Sequence, residues 1–382
     1  MDSNKTNSRI PELRFPGFEG EWEVRKIEDS FEERIEKNRS DLPLLSLGED
    51  GLMLQSESQR KDNSNSDKSK YLRVAVGDIA YNTMRMWQGR CVYCNIEGIV
   101  SPAYTVCKTK EGIDPLFHYY LFKTNQMISI FHQHSQGLVN DTLNLKYEAF
   151  SKIKYLLPSL PEQQKIADCL SSVDHLIQEE TDQLQALNDH KKGLMQQLFP
   201  QEGETIPKRR FPGFEGEWRK RKFENCFEIG SGRDYKHLSD GDIPVYGSGG
   251  YMCSVNDYLY DGDSACIGRK GTINKPMLLQ GKFWTVDTLF YTYNYEDTSA
   301  YFIYLLFQNI DWMKHNEAGG VPSLSKSIIY NISVRMPKLP EQQKIADCLS
   351  SIDEEISAQQ QKVAELKEHK KGLMQKLFPN LQ

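Results

Sequence analysis

The side chains best suited to reading a hydrogen-bonding edge gather in one short run. Asn82, Thr83, Arg85, Gln88 and Arg90 follow the strand-like GDIAY at 77–81 and are bounded by Gly77 and Gly89. Asn, Gln and Arg present paired or forked groups that match a base edge, whereas Lys, Ser, Thr and backbone amides suit a phosphate. Lys61, Lys68 and Lys70 lie upstream in SESQRKDNSNSDKSK at 56–70, a polar stretch that reads as a flexible loop and suits phosphate contact better than specificity.

Other chemistries find little support. No Gly-rich phosphate loop ending in Lys-Ser/Thr occurs, since GDSACIGRKG at 262–271 has neither the spacing nor the ending. HExxH is missing, no Pro-Pro-aromatic run of the amino-methyltransferase kind is present, and the eight histidines are scattered. The CxxC of Cys91 and Cys94 has only Cys107 and His118 nearby and no second pair, so core or surface thiols are expected rather than a metal site. Cys169 and Cys348 fall in apolar helical stretches, as small buried thiols do.

With 38% hydrophobic and 26% charged residues in 382, the chain reads as two or three ordinary domains. Neither a membrane-spanning apolar run nor a signal-peptide pattern at MDSNKTNSRI is visible, which points to a reduced, cytoplasmic setting. A net charge of −6 argues mildly against polyanion binding, but the acid is unevenly placed. Residues 24–158 carry 18 basic and 17 acidic groups and 219–337 carry 13 of each, whereas 161–200 carry 3 and 7. A locally basic face on either neutral segment is therefore permitted.

The elements that must position these groups are announced by an internal duplication. RFPGFEGEW at 14–22 recurs unchanged at 210–218, and 160–200 recurs as 339–379 with 26 of 41 positions identical. Between the copies lie two segments, 23–158 and 219–337, without obvious mutual similarity and differing in length by 17 residues. One scaffold thus presents two different surfaces. The aromatic residues of RFPGFEGEW are expected to anchor it in the core of its module.

Each long repeat is a heptad helix. Ile166, Leu170, Val173, Ile177, Leu184, Leu187, Leu194 and Leu198 step by four and three, with Glu180 and Lys191 at the remaining seam positions. Ile345, Leu349, Ile352, Ile356, Val363, Leu366, Leu373 and Leu377 repeat that register, with Gln359 and Lys370 at the polar places. Pro161 and Pro340 suit a helix start, Pro200 and Pro379 a stop. One narrow stripe on each helix wants a partner, and the other repeat is the nearest; sequence leaves parallel and antiparallel pairing open. In the antiparallel case Glu180 and Gln359 fall mid-seam, where polar residues fix register. Gly193 and Gly372 weaken the helices by about 1 kcal/mol each, a cost that close contact with a neighbouring helix or subunit could explain.

Two dissimilar modules separated by near-identical helices opening with LPEQQKIA resemble the specificity subunit of a type I restriction–modification enzyme over residues 11–379. IPVYGSGGY at 243–251, DGDSACIGRKG at 261–271, FWTVDT at 283–288 and AGGVPSLSKSIIYNISVRMP at 318–337 resemble stretches of that family's target-recognition domains. So do GDIAYNTM at 77–84, GIVSPAYTV at 98–106 and QGLVNDTLNLKYEAFSKIKYLLP at 137–158 in the first segment.

The resemblance implies an α+β fold: two mixed target-recognition domains joined by two conserved helices in an antiparallel coiled coil, with a pseudo-two-fold internal repeat. Residues 1–158 and 201–337 would be the domains, and 159–200 and 338–382 the helices. Each domain would read one half of an asymmetric bipartite double-stranded DNA site, and a rod of about 50 Å could hold the two about one duplex turn apart. In the second domain the family-like loops nominate Tyr246, Ser248, Arg269, Lys270, Ser323, Ser325 and Lys326, in a setting where Gly permits close backbone approach. Asp261 and Asp263 beside Lys270 could pass for nuclease carboxylates, but their Gly-rich context resembles the recognition motif better. Methylation and restriction are then expected on partners, two modification subunits using S-adenosylmethionine and restriction motor subunits using ATP and magnesium, with no catalytic residue, metal or cofactor in this chain. The competing readings are a recognition subunit of a related restriction system and a coiled-coil interaction scaffold.

Overall fold

The structure, a computed structural model, describes residues 9–48, 51–58, 62, 64–139 and 142–379. Two helices dominate it, Leu160–Leu198 and Leu339–Lys376, both copies of the long repeat. The chain divides into two compact units, Met1–Thr181 with Gln361–Gln382, and Asp182–Gln360, so each long helix contributes one half to each unit.

In the first unit the strands Phe31–Glu33, Tyr104–Thr109, Ile79–Asn82 and Cys91–Tyr93 form an antiparallel sheet in that order. Alternation along Ile79–Asn82 sends Ile79 and Tyr81 to a core shared with the helices Pro115–Phe122 and Asn125–His134, and Ala80 to a second core with Leu45, Val74 and Val100. Cys91 belongs to the first core and Cys94 to the second, so the CxxC thiols serve different layers; burial pushes each up to about 12 and keeps it neutral. A ribbon of Glu23–Lys26 against Lys154–Leu157 closes the module onto the long helix.

The second unit holds two four-stranded sheets. One runs Glu228–Ser231, Leu289–Tyr293, Ser264–Gly268, Met277–Leu279 and is antiparallel; the other runs Gly250–Val255, Asp240–Gly247, Lys282–Thr285, Tyr260–Asp261 and has one parallel pairing, Val245 beside Trp284. The helix Ala300–Asn309 packs in its main core, and Arg219–Lys222 against Ser333–Met336 repeats the closing ribbon.

Within each unit the helix halves run antiparallel. In the first, Ile166 and Leu170 share a core with Leu373 and Leu377, and Asp174 meets Lys370 at 2.5 Å. In the second, Leu184, Leu187, Leu194 and Leu198 pack with Ile345, Leu349, Ile352 and Ile356, and Lys191 meets Asp353 at 2.6 Å. Every seam position read from the heptads is buried or half-buried. Glu180 is 8% exposed and accepts the Lys362 ammonium at 2.7 Å, and Gln359 is equally buried, so the polar seam places are enclosed. At Gly193 and Gly372 a Cβ would meet nothing within 4 Å, so neither glycine serves close packing inside this chain, and of the two expected roles contact with the neighbouring helix is excluded.

Candidate nucleic-acid interface

The frame that carries each polar face is built identically. Arg14 forks onto Glu162, Nε to Oε1 at 2.8 Å and Nη2 to Oε2 at 2.9 Å, while Nη1 donates to the Gly20 carbonyl; Trp22 Nε1 donates to the same carboxylate. Arg210, Glu341, Gly216 and Trp218 reproduce this group by group, with 2.7 Å for both fork contacts. The recurrence of RFPGFEGEW therefore follows from the recurrence of LPEQQ: one supplies the fork and the indole, the other the buried carboxylate. Both tryptophans are core residues.

In the first unit the run from Asn82 to Arg90 is a tight turn pinned from below. Tyr81 is buried, so Asn82 points the other way; its Oδ1 accepts from Met84 N–H and its N–H donates to the Arg90 carbonyl. Met86 is fully buried, which leaves Arg85, Gln88 and Arg90 exposed around it. Gly89 sits at φ +71° with a would-be Cβ 2.8 Å from Ile128, so the turn requires glycine on both backbone and steric grounds. Asn82, Arg85, Gln88 and Arg90 line a cleft of about 760 Å³ together with Leu47, Tyr104 and Lys123.

Two of those neighbours escaped the sequence reading. Tyr104 lies inside GIVSPAYTV, a motif that could have nominated it; Lys123 ends a helix more than thirty residues on, and no local pattern marks it. Thr83 has a framing role, its hydroxyl donating to the Ala103 carbonyl at 3.2 Å. Lys68 is turned onto its own loop, donating to Ser64 Oγ at 2.6 Å over the Tyr71 ring, while Lys70 is exposed and Lys61 lies outside the described residues.

In the second unit three loops are stitched together through backbone groups. Ser248 Oγ donates to the Lys270 carbonyl at 2.8 Å, Gly271 N–H to Pro322 at 2.9 Å, and Leu324 N–H to Arg269 at 2.9 Å, with Lys270 bridged to Ser323. Thr288 holds the centre, accepting at Oγ1 from Ser248 N–H and at its carbonyl from Arg269 N–H. Arg269 and Lys270 are thereby presented side by side and exposed, and Gly271 takes φ +91° behind them. Tyr246 is half-buried, edge-on to an exposed Tyr251. Ser325 and Lys326 face inward: Ser325 caps the helix Lys326–Asn331, and Lys326 donates to the Ile229 carbonyl at 2.7 Å. Sequence reasoning missed Thr288, although FWTVDT contains it.

The two faces are thus unlike in chemistry, forked side chains around a cleft in one and a cationic pair on a backbone-tied platform in the other. Among the described residues no three His, Cys, Asp or Glu side chains converge as a metal site would require, and no helix is long and apolar enough to cross a membrane.

Known proteins share this organisation. The family model described as the type I restriction modification DNA specificity domain matches residues 19–189 and again 215–368. The MjaVIII specificity subunit of a type I restriction enzyme from Methanocaldococcus jannaschii is 23% identical, over 81% of this chain and 82% of its own length. The putative MjaX specificity subunit from the same organism is 22% identical, over 94% and 93%. Among solved structures, the S subunit of a type I restriction–modification system from M. genitalium superposes with a TM-score of 0.70 at 16% identity, covering 98% of this chain and all of that one. With that family model matched in both halves, over most of its length, the chain belongs to the type I restriction–modification DNA specificity family.

Proposed function

We propose that this chain is the sequence-reading subunit of a type I restriction–modification complex, non-catalytic itself, that binds an asymmetric two-part DNA site through its two modules. The observation that carries the reading is the pairing of near-identical anchors with dissimilar polar faces: the Arg–Glu–Trp frame is copied while the presented groups change from Asn82, Arg85, Gln88 and Arg90 to Arg269 and Lys270. Arg85 and Gln88 have the fork geometry that reads guanine or adenine edges, and the Arg269–Lys270 platform offers one fork beside a point charge. Methyl transfer from S-adenosylmethionine, and ATP- and magnesium-dependent restriction, belong to modification and restriction subunits that join this chain.

Co-expression with a modification subunit followed by genome-wide methylation mapping tests the reading and yields both half-sites at once. Arg85→Ala is expected to relax or weaken one half-site and Arg269→Ala the other, each by ~1–3 kcal/mol for a base contact. Loss spread evenly over all DNA would reassign that residue to phosphate; no site-dependent methylation with the unmodified chain would remove the proposal.

A further inference from the structure

A second concavity of the first unit, about 600 Å³, lies between the helix pair 115–134 and the last turns of the second long helix. Its lining holds Lys123, Lys367, Lys370, Lys371 and Lys376 against a single acid, Glu12. Lys123 also lines the cleft of Asn82, Arg85, Gln88 and Arg90, so one lysine borders both cleft and groove. Lys370 is tied to Asp174, Lys376 to Glu12 and Lys371 to the adjacent Glu368, but Lys367 is exposed and has no acidic partner among the described residues.

Cations at the carboxyl end of a helix have an ordinary explanation, compensation of the helix dipole. The duplication provides the control. The first long helix ends in the same repeat, yet Asn188 and Gln197 stand where Lys367 and Lys376 stand in the second. Lys123 has its own counterpart: it donates to Tyr119 Oη at 2.8 Å as Gln308 donates to Tyr304 Oη at 2.7 Å, so a third lysine is matched by a neutral amide. A dipole effect calls for charges on both helices, and it accounts for Lys370 and Lys371, which recur as Lys191 and Lys192. Lys123, Lys367 and Lys376 are confined to one copy, in a groove that shares Lys123 with that copy's cleft, and the dipole does not account for them; they point to a ligand of that unit.

We infer that the lysine groove of the first unit is a sequence-independent DNA-backbone site, gripping the phosphates that flank the half-site read in the adjoining cleft. This rests on the proposed reading of that cleft. Phosphates are chosen over an acidic protein segment because the groove shares Lys123 with the cleft of base-reading groups, and ammonium groups need no fixed acceptor direction.

The test uses the full chain assembled with its modification subunits, and two duplexes of equal length, one carrying the methylation-mapped site and one lacking it. K367Q/K371Q changes two exposed side chains outside the reading cleft. The slope of log affinity against log salt should become shallower by about 1.8, so that the affinity lost between 50 and 200 mM salt is about tenfold smaller, equally on both duplexes. The mapped sequence should not change, and K367R/K371R should retain the original slope. An unchanged slope in the glutamine variant overturns the inference, as does failure of that variant to assemble while the assembled fraction keeps its slope, which would make the groove a protein-docking surface. If Arg85→Ala alters its half-site while the lysine variant leaves the slope untouched, only the groove assignment falls; if neither has an effect, the reading of the cleft falls with it.

Discussion

The two units solve the attachment problem the same way and the interior problem differently. Each buries one tryptophan and one fork on a glutamate of its long helix, and each ties a tyrosine hydroxyl to the repeat aspartate, Tyr120 to Asp174 at 2.8 Å and Tyr301 to Asp353 at 2.7 Å. Those tyrosines lie a helical turn apart relative to the capped starts of their helices at Asp114 and Ser299, so unlike module sequences reach one fixed acceptor. Further in, the first unit holds a polar chain: Ser30 to Tyr155 hydroxyl, and Tyr155 to His118 Nε2 at 2.9 Å, with His118 Nδ1 donating to the Asp114 carbonyl. In the second unit Cys226, Val334 and Ile303 stand at the corresponding places, a thiol and two apolar groups. The Arg–Glu–Trp contacts are kept in pairs because all their partners sit in copied segments; module interiors are free to repack once the anchor holds.

Removing the shared anchor should produce the largest effect and should do so symmetrically. Glu162 and Glu341 are almost fully buried, so Glu162→Gln or Glu341→Gln leaves a half-buried guanidinium without its counter-charge, at a cost of at least about 3 kcal/mol to the unit concerned. Segment-resolved hydrogen exchange would show it; a loss in one unit and none in the other would break the equivalence of the anchors.

Acid should separate the units by a somewhat smaller amount. Burial holds the His118 imidazole neutral and lowers its pKa from 6.5 to about 4, its hydrogen bond to the Asp114 carbonyl only partly opposing this. The unfolded chain binds the proton first, so stability is intact above pH 6.5 and declines as pH falls through 4. The decline amounts to ~3 kcal/mol at 1.36 kcal/mol per pH unit. Protection of the 115–134 helices should therefore fail at higher pH than that of 300–309, and simultaneous failure would remove His118 as the cause.

The smallest effect sharpens the comparison. Gly193→Ala and Gly372→Ala each have open space for the methyl group and should stabilise their helices by up to about 1 kcal/mol, seen as a higher Tm. A Tm that falls would reveal a packing role within the chain; a Tm that rises while assembly weakens would place the partner subunits on those glycines.

How much was readable in advance varied with the range of the interaction. The seam from Ile166 to Leu198 and its copy were legible because a heptad stripe is periodic in the chain itself. The Asn82–Arg90 turn was legible because its cues, a strand, an Asn and a Gly, are neighbours. Lys123 was not, since it joins its face from a distant element, and Thr288, though inside FWTVDT, takes its role from contacts with Ser248 and Arg269 that no local pattern marks. Ser325 and Lys326 have polar side chains of the expected kind, yet a helix cap and a carbonyl claim them.

Sequence by itself determined the duplication, the two heptad helices and the identity of the copied anchors, because repetition and periodicity are properties of order along a chain. Only the tertiary structure decided that the helix halves pair antiparallel within each unit, that the CxxC thiols serve separate cores, and which cations line one groove. Those outcomes depend on which side chains close packing brings together across long separations, and a linear order of residues leaves that undetermined.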